Sequence, residues 1–312
     1  MSFTPLELSE LVRYHYPNLA QPPVITPIAT GKFNSSYWVE ADGARLVLRI
    51  APPRDAVYVF YEKEMMRQEP QLHELLLAQT NVPVARIVAF DDSHALIDCD
   101  YMLMERLPGR PWSEALHVDL DHVLQQVGVH LAATHRLTAE QYGYLGAHQP
   151  MPPQSSWVDA FAIMWHKMID DIVAVGYYDA AESRMMRQLL DQQLHLFDRP
   201  VAASLLHMDI WQQNILVDDA GSVTGLVDWD RALWGDPEIE FAVLDYCGIS
   251  EPAFWEGYGQ ARDLSPEANL RQIFYLLYEV QKYIVIYHGR NEDANGAQQK
   301  KRQVMDMVRA NL

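Results

Sequence analysis

The chain has 312 residues, 49% of them hydrophobic, and carries 24 Lys and Arg against 42 Asp and Glu, a formal charge of −18. That apolar mass builds a substantial core, in two domains or lobes, and argues against a disordered chain. The acidic surplus repels phosphate backbones and anionic lipid, which argues against nucleic-acid and membrane partners and favours a cationic acceptor.

Cys99 and Cys247 are the two cysteines, far apart and without CxxC or Cys/His clustering, so neither a disulfide framework nor a structural zinc site is expected. No basic segment precedes an apolar run at the N-terminus and no stretch approaches membrane-spanning length, so a reducing cytoplasm is the expected location.

Thr4 before Pro5 makes a cap and a first helical position, and Leu6, Leu8, Leu11 and Val12 give a short opening helix its period. Tyr37-Trp38-Val39, the turn dipeptide Asp42-Gly43 and the return through Leu46, Val47, Leu48 and Ile50 predict a β-hairpin, with Gly31 to Ser36 at its entrance. Glu, Met, Gln and Leu predict a helix over residues 61–79, and apolar runs over 86–90 and 101–107 predict strands. Beyond Pro108-Gly109 the texture turns helical. Leu120, Val123, Leu124, Val127 and Leu131 share one face, and further helices are predicted across 157–197.

A β-like interruption follows at 203–206, 214–217 and 223–227, with a turn at Asp218-Asp219-Ala220-Gly221. Helices then resume, one opened by Ser265 and Pro266 with Leu270, Ile273, Phe274, Leu277, Val280 and Ile284 on its inward stripe. No internal repeat or low-complexity tract is present.

The chemistry concentrates in His207-Met208-Asp209-Ile210-Trp211-Gln212-Gln213-Asn214, followed by Leu226-Val227-Asp228-Trp229-Asp230. A carboxylate and a carboxamide five residues apart on a loop, then an acid just after a strand, match the spacing of a kinase catalytic loop and metal-binding Asp. Phosphoryl transfer needs an acceptor in line with the γ-phosphate and metal charge bridging the phosphates. Asp209 suits a base for a substrate hydroxyl, while the neutral oxygen of Asn214 and the anionic oxygens of Asp228 suit Mg²⁺.

HMDIWQQNILV and LVDWDRALWGDP resemble the catalytic loop and metal segment of the aminoglycoside phosphotransferase and choline kinase superfamily, a likeness that extends over about residues 25–247. The sequence departs from that family at Met208, where glycine is most common, which leaves the charged roles intact but bears on how the loop turns. The resemblance implies an α+β, bilobal protein-kinase-like fold. A small antiparallel-sheet nucleotide lobe would span 1–106 and a larger, mainly helical catalytic and substrate lobe 107–312.

It implies ATP and Mg²⁺ as cofactors and a small-molecule acceptor, with aminoglycosides, choline-like amines, sugars and amino-alcohols all open. It places Gly31, Asn34, Ser35 and Ser36 in a phosphate-covering loop, Arg49 on the phosphates and Glu69 as its helix partner. The hinge falls at Met102 to Gly109, where backbone groups of Glu105 and Leu107 would read the adenine edge. Acceptor-binding helices are implied over 155–197 and 251–289, in a monomer or homodimer. The absence of GxGxxG, DFG and APE signatures argues against a protein substrate.

Plainer readings stand beside these. Asp and Asn taken singly favour turns and caps, and Glu62, Glu64 and Glu69 could all be solvated helical acids. Asp230 defaults to a loop carboxylate that could stand near metal or acceptor, Asp236 before Pro237 to a helix N-cap, and His207 to holding the loop backbone. The aromatic and Met-rich run 157–168 defaults to core. At the level of function, the alternatives are a catalytically silent nucleotide-binding module and a metal-dependent hydrolase whose acceptor is water.

Overall fold

The structure, a computed structural model, describes residues 3–29 and 33–312; Gly31 therefore lies outside the described residues. Thr4 and Glu7 cap the opening helix reciprocally, the Glu7 N–H donating to the Thr4 hydroxyl and the Thr4 N–H to the Glu7 carboxylate at 2.7 Å, so α1 runs Pro5–His15 as expected. Strands β1 (Val24–Pro27), β2 (Ser35–Ala41) and β3 (Ala44–Ile50) follow. Asp42 and Gly43 between β2 and β3 take φ of 45° and 85°, the left-handed pair a two-residue hairpin requires.

The helix expected over 61–79 is shorter. Turns and a 3-10 segment, Met65–Gln68, precede α2, which runs Glu69–Gln79. Pro70 explains the late start, because a residue without an N–H fits only the first helical turn, where donors are orphaned anyway. Strands β4 (Ile87–Asp91) and β5 (Tyr101–Glu105) complete an antiparallel sheet of order β1-β2-β3-β5-β4, with β5 ending two residues short of the expected run.

Register decides what this sheet presents. Ser36 and Trp38 stand opposite Arg49 and Val47, which stand opposite Met102 and Met104, so these residues share one face. The alternate residues Val39, Leu46, Leu48, Ile50 and Leu103 form a core with Leu8, Leu11 and Val12 of α1 on the other face.

The remaining elements are β6 (Arg110–Pro111), α3 (Leu120–His135), β7 (Thr138–Ala139), α4 (Trp157–Ala174), α5 (Ala180–Asp191), β8 (Ala203–Leu206), β9 (Ile215–Val217), β10 (Val223–Leu226), β11 (Leu233–Gly235), α6 (Pro237–Tyr246), α7 (Pro252–Tyr258), α8 (Pro266–Gly289) and α9 (Ala294–Asn311). Two three-stranded sheets, β10-β9-β6 and β11-β8-β7, lie among the helices. Gly109, at φ 92°, leads into β6 where an added Cβ would stand 2.4 Å from the Thr224 hydroxyl and 2.6 Å from the Val217 carbonyl oxygen, so glycine is required there.

Trp157, Phe161, Trp165 and Met168 are buried in the largest core cluster, in agreement with the core reading of that run. On α8, Phe274, Leu277, Val280 and Ile284 are buried as expected, while Leu270 and Ile273 are only partly so. No described helix is long and apolar enough to cross a membrane.

Helices α3 and α7 meet through two glycines. A Cβ on Gly257 would stand 1.8 Å from the Gln125 carbonyl oxygen, and one on Gly128 2.2 Å from that of Phe254. This approach sets Tyr258 of α7 against His135 of α3, hydroxyl to Nδ1 at 2.8 Å. Gly257→Ala forces the helices apart and is expected to lower unfolding free energy by about 3 kcal/mol, the upper range for overpacking. Chemical denaturation measures this, and an unchanged midpoint would show that the contact does not constrain the packing.

Candidate active site

The loop after β8 is held from below. Met208 sits at φ 66°, the left-handed conformation that glycine adopts at little cost, and its N–H donates to Glu240 Oε1 at 2.6 Å. The other Glu240 oxygen lies 2.6 Å from His135 Nε2, so α3, α6 and α7 jointly fix one turn of backbone. His207 Nε2 donates to the Val227 carbonyl at 3.0 Å, and its Nδ1 accepts the Asp209 N–H at 3.2 Å, which sets the tautomer. Burial lowers the His207 pKa against the pull of Glu240 and Asp209. The ring is neutral and holds the loop, the role expected of it.

That loop presents Asp209 with both carboxylate oxygens engaged. Arg231 Nη1 donates to Oδ1 at 2.7 Å, and Asn214 Nδ2 donates to Oδ2 at 3.0 Å and to the Asp209 carbonyl at 2.9 Å. Burial pushes the Asp209 pKa up, but Arg231 and then Lys282 outweigh it, and the carboxyl is held below its ordinary range. Arg231 also donates to Glu279 Oε2 at 3.1 Å, and Glu279 pairs in turn with Lys282. All three are buried. Sequence reasoning missed them: Glu279 and Lys282, three apart on a helix, carry the same signature as an ordinary solvated pair.

The segment after β10 meets the sheet through Arg49. Its Nη1 donates to both Glu69 oxygens at 2.8 and 2.7 Å, and its Nη2 to Asp228 Oδ1 at 2.5 Å and Asp230 Oδ2 at 3.2 Å. Glu69 is fully buried, so it is the partner of Arg49 rather than a solvated helical acid. Asp230, 3% exposed, is not an open loop carboxylate either: it also accepts Asn34 Nδ2 at 3.2 Å, and burial together with Asp228 drives its pKa well up. Asp228 takes φ 71° and keeps 35% of its side-chain surface open, so the upward push of burial, partly offset by Arg49, weighs less there.

Gln68 Nε2 ties this segment to the helical entry of α2 through the carbonyls of Asp230 and Ala232, at 2.6 and 2.9 Å, a contact no motif announced.

Ser35 and Ser36 lie within β2, Ser36 opposite Arg49, and of the expected phosphate loop it is Asn34 that reaches the segment after β10. At the expected hinge the Glu105 N–H donates to the Arg86 carbonyl, and Leu107 packs against the cluster of Met102 and Met104. Asp236 caps α6 through the Glu238 N–H and is bound by Arg199 at 2.5 Å and Tyr275 at 3.1 Å, the expected structural role.

Met208→Gly tests the strained turn. Relief of the left-handed backbone returns about 1 kcal/mol, whereas losing a buried Met side chain forfeits about 2–5 kcal/mol. The glycine variant is therefore expected to be less stable by about 2 kcal/mol, and Met208→Ala, which keeps the strain, less stable still by about 1 kcal/mol. Denaturation of both variants checks the order; a glycine variant as stable as the parent would refute it.

Residues 24–272 match the phosphotransferase enzyme family. A probable ketoamine kinase of Lactiplantibacillus plantarum is 25% identical over 272 residues, covering 84% of this chain and 88% of the relative. Hygromycin-B 4-O-kinase of Escherichia coli is 22% identical over 290 residues, covering 87% and 77%. A crystal structure of a thermostable aminoglycoside phosphotransferase APH(4)-Ia variant, in ternary complex with AMP-PNP and hygromycin B, shares the fold with a TM-score of 0.64 at 18% identity, covering 97% of this chain and 99% of that one. The chain belongs to the phosphotransferase enzyme family, a small-molecule kinase with the bilobal α+β kinase-like fold.

Proposed function

We propose that this enzyme moves the γ-phosphate of ATP to a hydroxyl of a small molecule, with Asp209 as base and with Asn214 and Asp228 as ligands of Mg²⁺. The observation that carries this reading is the setting of Asp209, which accepts Arg231 on one carboxylate oxygen and Asn214 on the other. The donors suit the ion. Asn214 commits its amide N–H to Asp209, which leaves its neutral carbonyl oxygen, and Asp228 adds an anionic one; phosphate oxygens and water complete a hard-oxygen set. Mg²⁺, when bound, neutralises charge that develops on the transferring phosphate.

On this reading residues 1–106 form the nucleotide lobe and 107–312 the catalytic lobe. Arg49, anchored by Glu69, supplies a guanidinium to the phosphates, Asn34, Ser35 and Ser36 line their cover, and the Glu105 carbonyl and Leu107 N–H read the base. The acceptor O–H proton passes to the Asp209 carboxylate as the acceptor oxygen bonds the γ-phosphorus. The bond from that phosphorus to the β,γ-bridging oxygen breaks, and ADP leaves.

For the acceptor we propose a ketoamine, an amine-bearing sugar with free hydroxyls, supported by the ketoamine kinase likeness and by a net charge of −18 that favours a protonated amine. Unpaired thiols at Cys99 and Cys247 suit a reducing cytoplasm.

Asp209→Asn is expected to cut Mg²⁺-dependent ADP release by about 10²–10⁴-fold while ATP still binds. Asn214→Ala is expected to raise the Mg²⁺ concentration needed for half-maximal rate, and an unaltered magnesium dependence would remove Asn214 from the ligand set. Wild-type protein that binds ATP but releases no ADP with any acceptor would favour the silent module, and phosphate release without an acceptor the hydrolase.

A further inference from the structure

The cations on α8 and several beside it are matched to carboxylates, Arg271 with Glu238 and Arg290 with Glu62 among them. Arg231 binds Asp209 and Glu279, Lys282 binds Glu279, and Lys301 binds Glu182 at 2.7 Å. Lys300 differs. Its ammonium donates to the Tyr246 hydroxyl at 3.0 Å and to Gln303 Oε1 at 3.2 Å, both neutral, and no described carboxylate stands within ion-pair distance of it. It lies 5.6 Å from the Tyr246 ring centroid and 5.2 Å from that of Tyr283. The two rings are 5.6 Å apart and inclined by 30°, and both are half-buried.

This shelf borders the reaction centre. Lys282 stands 4.9 Å from the Tyr283 ring and pairs with Glu279, which binds Arg231 at 3.1 Å, and Arg231 in turn binds Asp209 at 2.7 Å. In a molecule of charge −18 an anion finds no general attraction, so a half-buried ammonium without a counter-charge is a specific place for one.

We infer that Lys300, with Tyr246 and Tyr283, forms a subsite for a carboxylate on the acceptor, the two rings taking an apolar face of the same molecule. The inference rests on Asp209 marking the transfer site and extends the acceptor reading: a ketoamine built on an α-amino acid carries a carboxylate beside its amine. The enzyme thereby selects amino-acid-derived ketoamines over those of simple amines.

Matched acceptor pairs test this: N-(1-deoxyfructosyl)glycine against its methylamide, and gluconate against glucose, each followed by ADP release. The wild type is expected to prefer the acid of whichever pair it accepts. A charge-assisted bond is worth enough that Lys300→Met should lower the acid-over-neutral ratio of kcat/KM about tenfold. Lys300→Arg should keep the preference. Calorimetric titration of the same pairs, with AMP-PNP and Mg²⁺ present, gives the ratio without turnover. If the sugar acid is accepted and the ketoamines are not, the ketoamine reading falls while the Lys300 ratio still decides the subsite. No acid preference in the wild type by either measure, or a preference that Lys300→Met leaves intact, overturns the inference.

Discussion

One guanidinium compensates three carboxylates at the junction of the sheet with the helical part of the fold. Arg49 reaches Glu69 from β3, and Asp228 and Asp230 from the segment after β10, so a strand, a helix start and a loop converge on a single charge. Burying even one carboxylate is costly, and here the outcome is uneven: Glu69 is held below its ordinary pKa while Asp228 and Asp230 are raised. Only arginine can serve all three, because its planar fork presents five donors in fixed directions and stays charged; lysine offers a point charge on a flexible stem. The surplus of negative charge around Arg49 also gives a reason for a cation to bind there. On the proposed reading, a divalent ion brought by a nucleotide would enter a cluster that one guanidinium leaves under-compensated.

The loop after β8 obeys a second constraint, which begins far from it. Gly128 and Gly257 let α3 and α7 approach backbone to backbone, and that approach places Tyr258 on His135, His135 on Glu240 and Glu240 on the Met208 N–H. A non-glycine residue in a left-handed conformation persists only where the surroundings over-determine it. Here they do so from two sides, with the Met208 N–H fixed by Glu240 and its side chain in the core. The orientation of Asp209, next in sequence, is thus inherited from helix packing.

What the sequence made legible was what local chemistry dictates. Asp42-Gly43 can hardly be other than a hairpin turn, Thr4-Pro5 a helix start and Asp236-Pro237 a cap, because each depends on its own backbone. Spacing brought Asp209, Asn214 and Asp228 to notice, and the structure joins the first two by a direct hydrogen bond. Residues that matter through remote partners left no such trace. Glu279 lies 48 positions from Arg231, and Glu240 is 105 from His135, so neither pairing has a periodicity to read. Asp230 reads in sequence as a loop carboxylate for the same reason: its burial is imposed by Asn34 and Arg49, nearly 200 residues upstream. Pro70 was a local signal that should have shortened the helix before α2, and composition over 61–79 obscured it.

Net charge and local charge give different accounts of the acceptor. The whole chain is strongly acidic, yet the file from Asp209 through Arg231 and Glu279 to Lys282 alternates in sign and comes close to neutrality. Surface charges farther off than about 8–10 Å are largely screened at physiological salt, so a bound acceptor responds mainly to this neighbourhood, with the global field acting on its approach. A purely cationic acceptor answers the acidic surface but leaves Lys300 without a counter-charge. A zwitterion of the kind proposed would answer both, its amine drawn by the acidic exterior and its carboxylate met by the ammonium that stands by two tyrosine rings.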